Sequence, residues 1–263
     1  MDFGLKNKVA IIGGSSKGLG KGCALQLARE GAHVVICSRN EETLTRTANY
    51  IREETSSKVV PIQADLSKKE GVENVVDKTL KEFGRIDILV NNSGGPPAGN
   101  FFDFSEAQWT QSYESILLYV VRVIQQVVPQ MKKNNWGRII NITSLLVKEP
   151  SENLVLSSVF RSGVVSLAKA ISKDLMRYNI TINNICPGMF KTERAVALLQ
   201  KQAEKSHQTI EVIEEETVSK LPLGRYQDPK ELGDLVAFLC SERAKGISGV
   251  TLPIDGALSQ SLF

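Results

Sequence analysis

Glycines are concentrated in one short segment, Gly13-Gly14-Ser15-Ser16-Lys17-Gly18-Leu19-Gly20, which lies between an apolar run and a helix-length stretch. Glycine allows a tight turn and a close backbone approach to a ligand, and the start of a helix offers free N–H groups with a partial positive charge. A turn in this context is typical of a dinucleotide pyrophosphate site, with a purely structural turn as the alternative. The predicted phosphate contacts are Gly14, Ser16, Lys17, Gly18, Leu19 and Gly20.

The end of the second apolar run indicates which dinucleotide binds. An NAD-binding chain has an acidic residue roughly 20 positions after the glycines, where it holds the ribose 2′-hydroxyl. Here Ser38 occupies that position, Arg39 follows it, and Lys17 lies in the glycine turn. Two cations without a carboxylate suit a 2′-phosphate, unless both are solvated surface charges. The sequence therefore predicts NADP(H) as the cofactor.

The elements that must position these residues are visible in the hydropathy pattern. Seven short apolar runs occupy 9–12, 33–36, 58–62, 86–90, 138–142, 180–185 and 250–254, and helix-length segments such as 19–30, 41–54, 68–83, 106–133 and 154–177 separate them. Continuous apolar strands indicate a parallel sheet that is buried on both faces. Short strand–helix joints indicate right-handed βαβ units. We predict an α/β fold, a single doubly wound Rossmann domain over residues 1–263 with a seven-stranded parallel sheet and helices on both faces.

Residues 192–220 interrupt the alternation with a polar, charged insertion after the sixth strand. Ligands of such sheets bind at the carboxyl ends of the strands, so an insertion there is a candidate lid. The alternative is a solvated pair of helices without a role in chemistry.

Composition excludes several classes of function. The chain has 263 residues and a net charge of +3, too small and dispersed to indicate nucleic-acid binding. Two histidines are too few to indicate a histidine-based metal site, and we predict no metal. The four cysteines are scattered, which favours buried thiols over disulfides. No stretch approaches the roughly 18 uncharged apolar residues that a membrane span needs. The N-terminus lacks a secretory apolar run, so we expect a cytoplasmic protein.

The glycine spacing resembles the short-chain dehydrogenase/reductase family, whose signature is Thr-Gly-x-x-x-Gly-x-Gly, with Gly13 at the position of the threonine. Further matches follow in the family's order along nearly the whole chain. They are Asp65-Leu66, Asn91-Asn92-Ser93-Gly94, Asn141-Ile-Thr-Ser144, Pro187-Gly188 followed by Thr192, Pro222-Leu-Gly-Arg225 and Ile254-Asp-Gly256. The resemblance adds Asp65, Leu66, Asn91, Ser93, Gly94, Pro187, Gly188 and Thr192 to the expected cofactor contacts.

The resemblance also implies a catalytic set, and here the sequence departs from the family. A family serine holds the carbonyl oxygen, a tyrosine gives the proton, a lysine four residues later lowers the tyrosine pKa, and an asparagine supports a relay water. Ser144 matches the first role. The tyrosine position holds Ser157, the lysine position Arg161 and the asparagine position Ile116.

These replacements change the available chemistry. A serine hydroxyl is a much weaker acid than a phenol, and an arginine stays charged and cannot pass on a proton. Arg161 can still hold a ribose or an anion. Lys148 is a candidate proton donor or anchor for an acidic substrate, unless it is a surface lysine. Tyr113 and Tyr119 flank Ile116 by one turn, but we expect core or interface aromatics there and no replacement hydroxyl.

Three hypotheses follow from this pattern. The first is an NADP-dependent oxidoreductase acting on a carbonyl or hydroxyl group, resembling 3-oxoacyl-acyl-carrier-protein reductases, with atypical proton delivery. The second is a nucleotide-binding pseudoenzyme that serves as a sensor or partner subunit, and the third is a lyase or epimerase on the same fold. The family resemblance also implies a homotetramer, since the segments 106–133 and 154–177 carry more apolar residues than one sheet face needs.

Overall fold

The computed structural model describes residues 2–262, and it contains seven strands in one sheet. The strands are β1 (Val9–Ile12), β2 (His33–Ser38), β3 (Val59–Gln63), β4 (Ile88–Asn91), β5 (Gly137–Ile142), β6 (Ile180–Pro187) and β7 (Thr251–Ile254). All seven predicted strands are present, with ends that differ by one or two residues. The β-branched residues that fill them pack well on a pleated surface with both faces buried.

The sheet is parallel throughout, in the order β3-β2-β1-β4-β5-β6-β7. The chain moves outward from β1 to β3, returns to β4, and then continues to the other edge. Neighbouring connections diverge between β1 and β4, which leaves a crevice at the carboxyl ends of these strands, where ligands of this fold bind. The predicted doubly wound architecture is confirmed.

Helices cover both faces of the sheet. They are α1 (Gly18–Arg29), α2 (Glu41–Glu54), α3 (Lys69–Phe83), α4 (Glu106–Tyr113), α5 (Tyr119–Lys133), α6 (Val155–Met176), α7 (Glu193–Ser206), α8 (Ile210–Val218) and α9 (Pro229–Cys240). Alternate strand residues face opposite cores: Ile12 packs with α1, α2 and α9, and Ile11 packs with α3, α5 and α6. All four cysteines are buried free thiols, as expected.

The segment 106–133 is not one regular helix. A π-helical turn, Glu114–Leu118, separates α4 from α5, and the Tyr119 N–H bonds the Glu114 carbonyl five residues earlier. One extra residue per turn shifts the facing of all side chains that follow it. Ile116, at the position of the family's asparagine, is buried in this turn.

The insertion 192–220 forms two helices, α7 and α8, which share a small core made of Leu199, Ala203, Ile213 and Tyr226. Thr192 caps α7 and Thr209 caps α8, since each hydroxyl accepts a backbone N–H of the first turn. The pair is therefore an ordered unit at the carboxyl edge of the sheet.

Helix α6 is the one described helix that is long and apolar enough to cross a membrane by length and composition. This is weak evidence, because core helices of other proteins pass the same test. Here α6 packs against β6 and carries the buried Arg161.

A row of side-chain amides crosses the sheet from β4 through β5 and β6 to β7. Asn91 donates to Asn141 over 2.8 Å, Asn141 donates to Asn184 over 2.9 Å, and Asn184 donates to the Thr251 hydroxyl over 3.1 Å. These residues are direct register partners, and the three asparagines are buried. Each amide thus satisfies its neighbour in a place without water.

We expect Asn141→Leu to lower the free energy of unfolding by about 2–5 kcal/mol. The change leaves a donor on Asn91 and an acceptor on Asn184 buried without partners, at roughly 1–3 kcal/mol each. Urea denaturation followed by circular dichroism measures the change. Asn49→Leu on exposed α2 is the control, expected within about 0.5 kcal/mol of the parent. A loss below about 1 kcal/mol for Asn141→Leu would show that the row contributes little.

Candidate active site

The glycine turn is built for a ligand that approaches its backbone closely. Gly14 and Gly18 have φ of +54° and +56°, in the left-handed region that favours glycine. A Cβ on Gly20 would lie 2.5 Å from the Gly14 carbonyl oxygen, so only glycine fits there. Asn92 after β4 fixes the turn by donating to the carbonyls of Gly13 and Gly14 over 3.1 Å.

Helix α1 begins at this turn without a side-chain cap. The side chain of its N-cap residue, Lys17, makes no capping hydrogen bond and is exposed. The free N–H groups and the positive end of the helix therefore face the crevice, which is the arrangement that holds a phosphate. The predicted pyrophosphate site fits this geometry.

The predicted 2′-phosphate residues lie at the end of β2. Ser38 is half-buried and donates to the Asn40 carbonyl over 3.2 Å, and Arg39 is exposed. The pair closes the crevice on the side of β3. Arg39 and Lys17 have no ion-pair partner among residues 2–262, so both charges are free for an anion.

Other predicted cofactor residues line the same edge. The Asp65 carboxylate accepts the N–H and the hydroxyl of Ser67, and Leu66 lies beside Gly13. Gly188 follows β6, where a Cβ would lie 2.7 Å from the Cα of Asp255. Thr192 places its methyl 3.5 Å from the Cβ position of Gly18, which brings the start of α7 against the glycine turn. The first turn of α7 therefore borders the crevice.

Arg161 is the central buried charge of the site. Its Nε donates to the Ser157 hydroxyl over 3.2 Å, and its Nη1 donates to the carbonyls of Ile142 and Thr143 over 3.0 and 3.1 Å. Ser157 lies one helical turn earlier on α6, the spacing at which side chains of a helix meet. The arginine is thus fixed at the end of β5, directly beside Ser144.

Burial lowers the pKa of Arg161, and nearby Arg194 lowers it further, whereas Tyr119 and Cys186 act in the opposite direction. The guanidinium stays protonated because arginine is too weak an acid to lose its proton in a protein. Within residues 2–262, Arg161 forms no ion pair with a carboxylate. The site therefore contains a permanent, uncompensated positive charge.

Ser144 and Lys148 lie on the loop that leaves β5. The Ser144 hydroxyl oxygen accepts the Leu146 N–H over 3.3 Å, which leaves its own proton free to donate. Lys148 is half-buried, and its charge acts on the Cys186 thiol at the end of β6. Burial raises the pKa of Cys186 despite that charge, so the thiol is neutral.

The two tyrosines near Ile116 have different surroundings. Tyr113 is exposed and contacts the Phe160 ring. Tyr119 is buried with its hydroxyl bonded to Ser93, and burial raises its pKa although Arg161 lies nearby. The Tyr119 hydroxyl therefore lies at the loop that follows β4, whereas Tyr113 lies outside the site.

The sequence analysis did not predict two contacts in the site. The guanidinium of Arg194 on α7 lies against Gly95, where a Cβ would be 2.8 Å from Nη2. The Tyr119–Ser93 bond is the second. The segment around Arg194 carries several charged residues, and nothing in the sequence marks this one. It reaches Gly95 because α7 runs back across the crevice.

Comparison with known proteins gives a consistent identity. A family model described as enoyl-(acyl carrier protein) reductase matches residues 14–259. The oxidoreductase YvrD of Bacillus subtilis is 31% identical over 268 residues that cover both chains completely. The 3-oxoacyl-[acyl-carrier-protein] reductase FabG of Thermotoga maritima is 31% identical over 257 residues, 97% of this chain and 98% of that one.

Among solved structures, L-sorbose reductase from Gluconobacter frateurii, complexed with NADPH and L-sorbose, superposes with a TM-score of 0.96. It is 29% identical, and the match covers all of both chains. Since the family model spans most of the sequence and the fold agrees over its whole length, the chain belongs to the short-chain dehydrogenase/reductase family of oxidoreductases.

Proposed function

We propose that this enzyme uses NADPH to reduce a carbonyl group, or NADP⁺ to oxidise the corresponding alcohol. The observation that carries the proposal is one edge of the sheet that combines an uncapped phosphate turn containing Lys17, the unpaired cation Arg39 after β2, and Ser144 beside a buried arginine. Solved relatives of this chain contain NADPH, which agrees with the cofactor predicted from Ser38 and Arg39.

The cofactor residues divide along the crevice. The α1 N-terminus with Gly14, Ser16, Gly18, Leu19 and Gly20 holds the pyrophosphate. Lys17, Ser38 and Arg39 hold the 2′-phosphate, and Asp65 and Leu66 hold the adenine. Asn91, Ser93 and Gly94 border the nicotinamide ribose, and Pro187, Gly188 and Thr192 border the nicotinamide.

NADPH, when bound, supplies the hydride to the carbonyl carbon. Ser144 donates its hydroxyl proton in a hydrogen bond to the carbonyl oxygen of the substrate. The proton is available because the Ser144 oxygen acts only as an acceptor toward the Leu146 N–H. Arg161 stabilises the negative charge that develops there, at a position fixed by Ser157 and two carbonyls. A fixed charge in a dry site stabilises a transition state more strongly than a charge in water does.

The proton itself comes from Lys148. A lysine ammonium in water has a pKa of about 10.4 and a phenol about 10, so the two are similar acids, whereas serine is far weaker and arginine does not release its proton. Tyr119 is a weaker acid than a free phenol, because burial among apolar side chains raises its pKa. Substrates similar to 3-oxoacyl compounds are the first class to assay.

We also propose a homotetramer acting in the cytoplasm. Helices α4 and α6 leave Tyr113 and Val159 exposed, and Phe101 nearby is 60% exposed, which is apolar surface that a partner can cover. Light scattering at micromolar concentration should give four times the mass of one chain. A monomer would refute the assembly.

The first test concerns cofactor choice. Arg39→Ala should weaken NADP⁺ binding about 10–100-fold, because a hydrogen bond to a charged group contributes roughly 1.5–3 kcal/mol. NAD⁺, which lacks the 2′-phosphate, should bind as it does to the parent. Calorimetric titration measures both, with Arg46→Ala on exposed α2 as the matched control. Equal affinities of the parent for NAD⁺ and NADP⁺ would contradict the assignment.

The second test concerns the proton. Lys148→Arg keeps the positive charge and removes the transferable proton, so kcat should fall about 10²–10⁴-fold, the usual contribution of general acid catalysis. NADPH affinity should stay within about twofold. The loss is measured as NADPH absorbance during reduction of a 3-oxoacyl thioester, with Lys133→Arg as the control.

An unchanged kcat in Lys148→Arg would exclude Lys148 as the donor. Tight NADPH binding without turnover on any carbonyl compound, in the parent enzyme, would instead favour the pseudoenzyme.

A further inference from the structure

Three cations surround the space above the ends of β5 and β6, and no carboxylate compensates them. They are Arg161 from α6, Arg194 from α7 and Lys148 from the loop after β5. None forms an ion pair with any residue from 2 to 262. Like charges that share a site repel, so an unoccupied arrangement of this kind is costly.

Arg161 keeps one nitrogen for a ligand. Nε and Nη1 bond to Ser157 and to two backbone carbonyls, whereas Nη2 bonds to no protein atom within the described chain. The side chain is only 8% exposed. Nη2 is not among the buried side-chain atoms that lack a partner, so it faces the accessible crevice and can donate to a ligand there.

Two electrostatic effects make the position of Arg194 unfavourable. It lies in the first turn of α7, where the helix dipole favours anions, and its charge is close enough to Arg161 to lower that residue's pKa. Arg194 is exposed, and its guanidinium lies against Gly95 across the crevice. An anion between the two arginines would offset both costs.

The cofactor phosphates are not that anion. The uncapped start of α1 and the free cations Lys17 and Arg39 already provide for them at the ends of β1 and β2. Arg194 instead faces the loop after β4, and Arg161 bonds the carbonyl of Thr143, the residue before Ser144. The anion position between Arg161 and Arg194 therefore lies on the substrate side.

We propose that the substrate is a carbonyl compound carrying an oxyanion, a carboxylate or a phosphate, which binds between Arg194 and Arg161 while its carbonyl faces Ser144. The inference rests on the proposed reductase function and names its substrate class. A planar guanidinium pairs with both oxyanions through two parallel hydrogen bonds, which fixes the substrate's orientation as well as its affinity. Arg194 is thus a specificity residue for the substrate.

Binding tests the anion site without turnover. The NADP⁺-saturated enzyme is titrated calorimetrically with malonate and, separately, with inorganic phosphate. At least one should bind, and Arg194→Ala should weaken it about 10–100-fold, the loss expected for a charge-assisted hydrogen bond. Arg194→Lys should recover part of the loss. Lys201→Ala, an exposed cation on the same helix, should bind as the parent does.

Tighter binding of malonate identifies a carboxylate substrate, and tighter binding of phosphate identifies a phosphorylated one. Either result supports the anion site. Absence of binding of both anions to the parent complex overturns the inference. So does an Arg194→Ala enzyme that loses NADP⁺ affinity instead of anion affinity, since the arginine then serves the cofactor.

Turnover tests the substrate class. Acetoacetate and methyl acetoacetate share the reacting carbonyl and differ in charge. The parent should prefer the acid in kcat/KM by about tenfold or more, and Arg194→Ala should reduce this ratio toward one. Equal use of acid and ester by the parent overturns the inference. If anions bind as expected and neither compound nor any other carbonyl is reduced, the reductase function fails while the anion site stands.

Discussion

The active site depends on the burial of one guanidinium. Removing Arg161 from water is expensive unless its hydrogen bonds are replaced, and the structure replaces three of them with the Ser157 hydroxyl and the last two carbonyls near the end of β5. The bond from Nε requires an acceptor one helical turn earlier on α6, and serine is short enough to provide it. Ser157 and Arg161, which the sequence resemblance aligns with the family's tyrosine and lysine, are therefore coupled by a hydrogen bond.

The Ser157 and Arg161 pair separates two tasks that a tyrosine and lysine pair performs together. A tyrosine near a lysine provides both charge stabilisation and a proton, so both depend on the same titration. Arginine provides charge at every relevant pH and never provides the proton. The proposed mechanism therefore takes the proton from Lys148, on the loop between Ser144 and α6, and assigns the preorganised charge to Arg161.

The sequence predicts most of the frame because the frame follows from local patterns. Seven apolar runs with β-branched residues can only be buried on both faces of a sheet, and the glycine turn requires left-handed backbone at Gly14 and Gly18. The neighbourhood of Ser144, Ser157 and Arg161 also follows, since Ser157 and Arg161 are one turn apart on one helix.

The missed features depend on tertiary contacts. The π-helical turn at Ile116 leaves an ordinary helical pattern in the sequence and is visible only in the backbone bonds. Arg194 reaches Gly95 because α7 folds back across the crevice, and Tyr119 meets Ser93 because α5 packs under β4. No spacing along the chain encodes these pairs, which lie far apart in sequence.

A crystal structure of the enzyme with NADP⁺ tests the central claim most directly, because it locates the nicotinamide relative to Arg161. The account predicts Arg161 and Ser144 beside the nicotinamide ribose and ring, with Ser157 still bonded to Arg161 and with the Tyr119 hydroxyl still on Ser93. A tyrosine hydroxyl within hydrogen-bond distance of both Ser144 and the nicotinamide ribose would contradict it and restore a conventional mechanism.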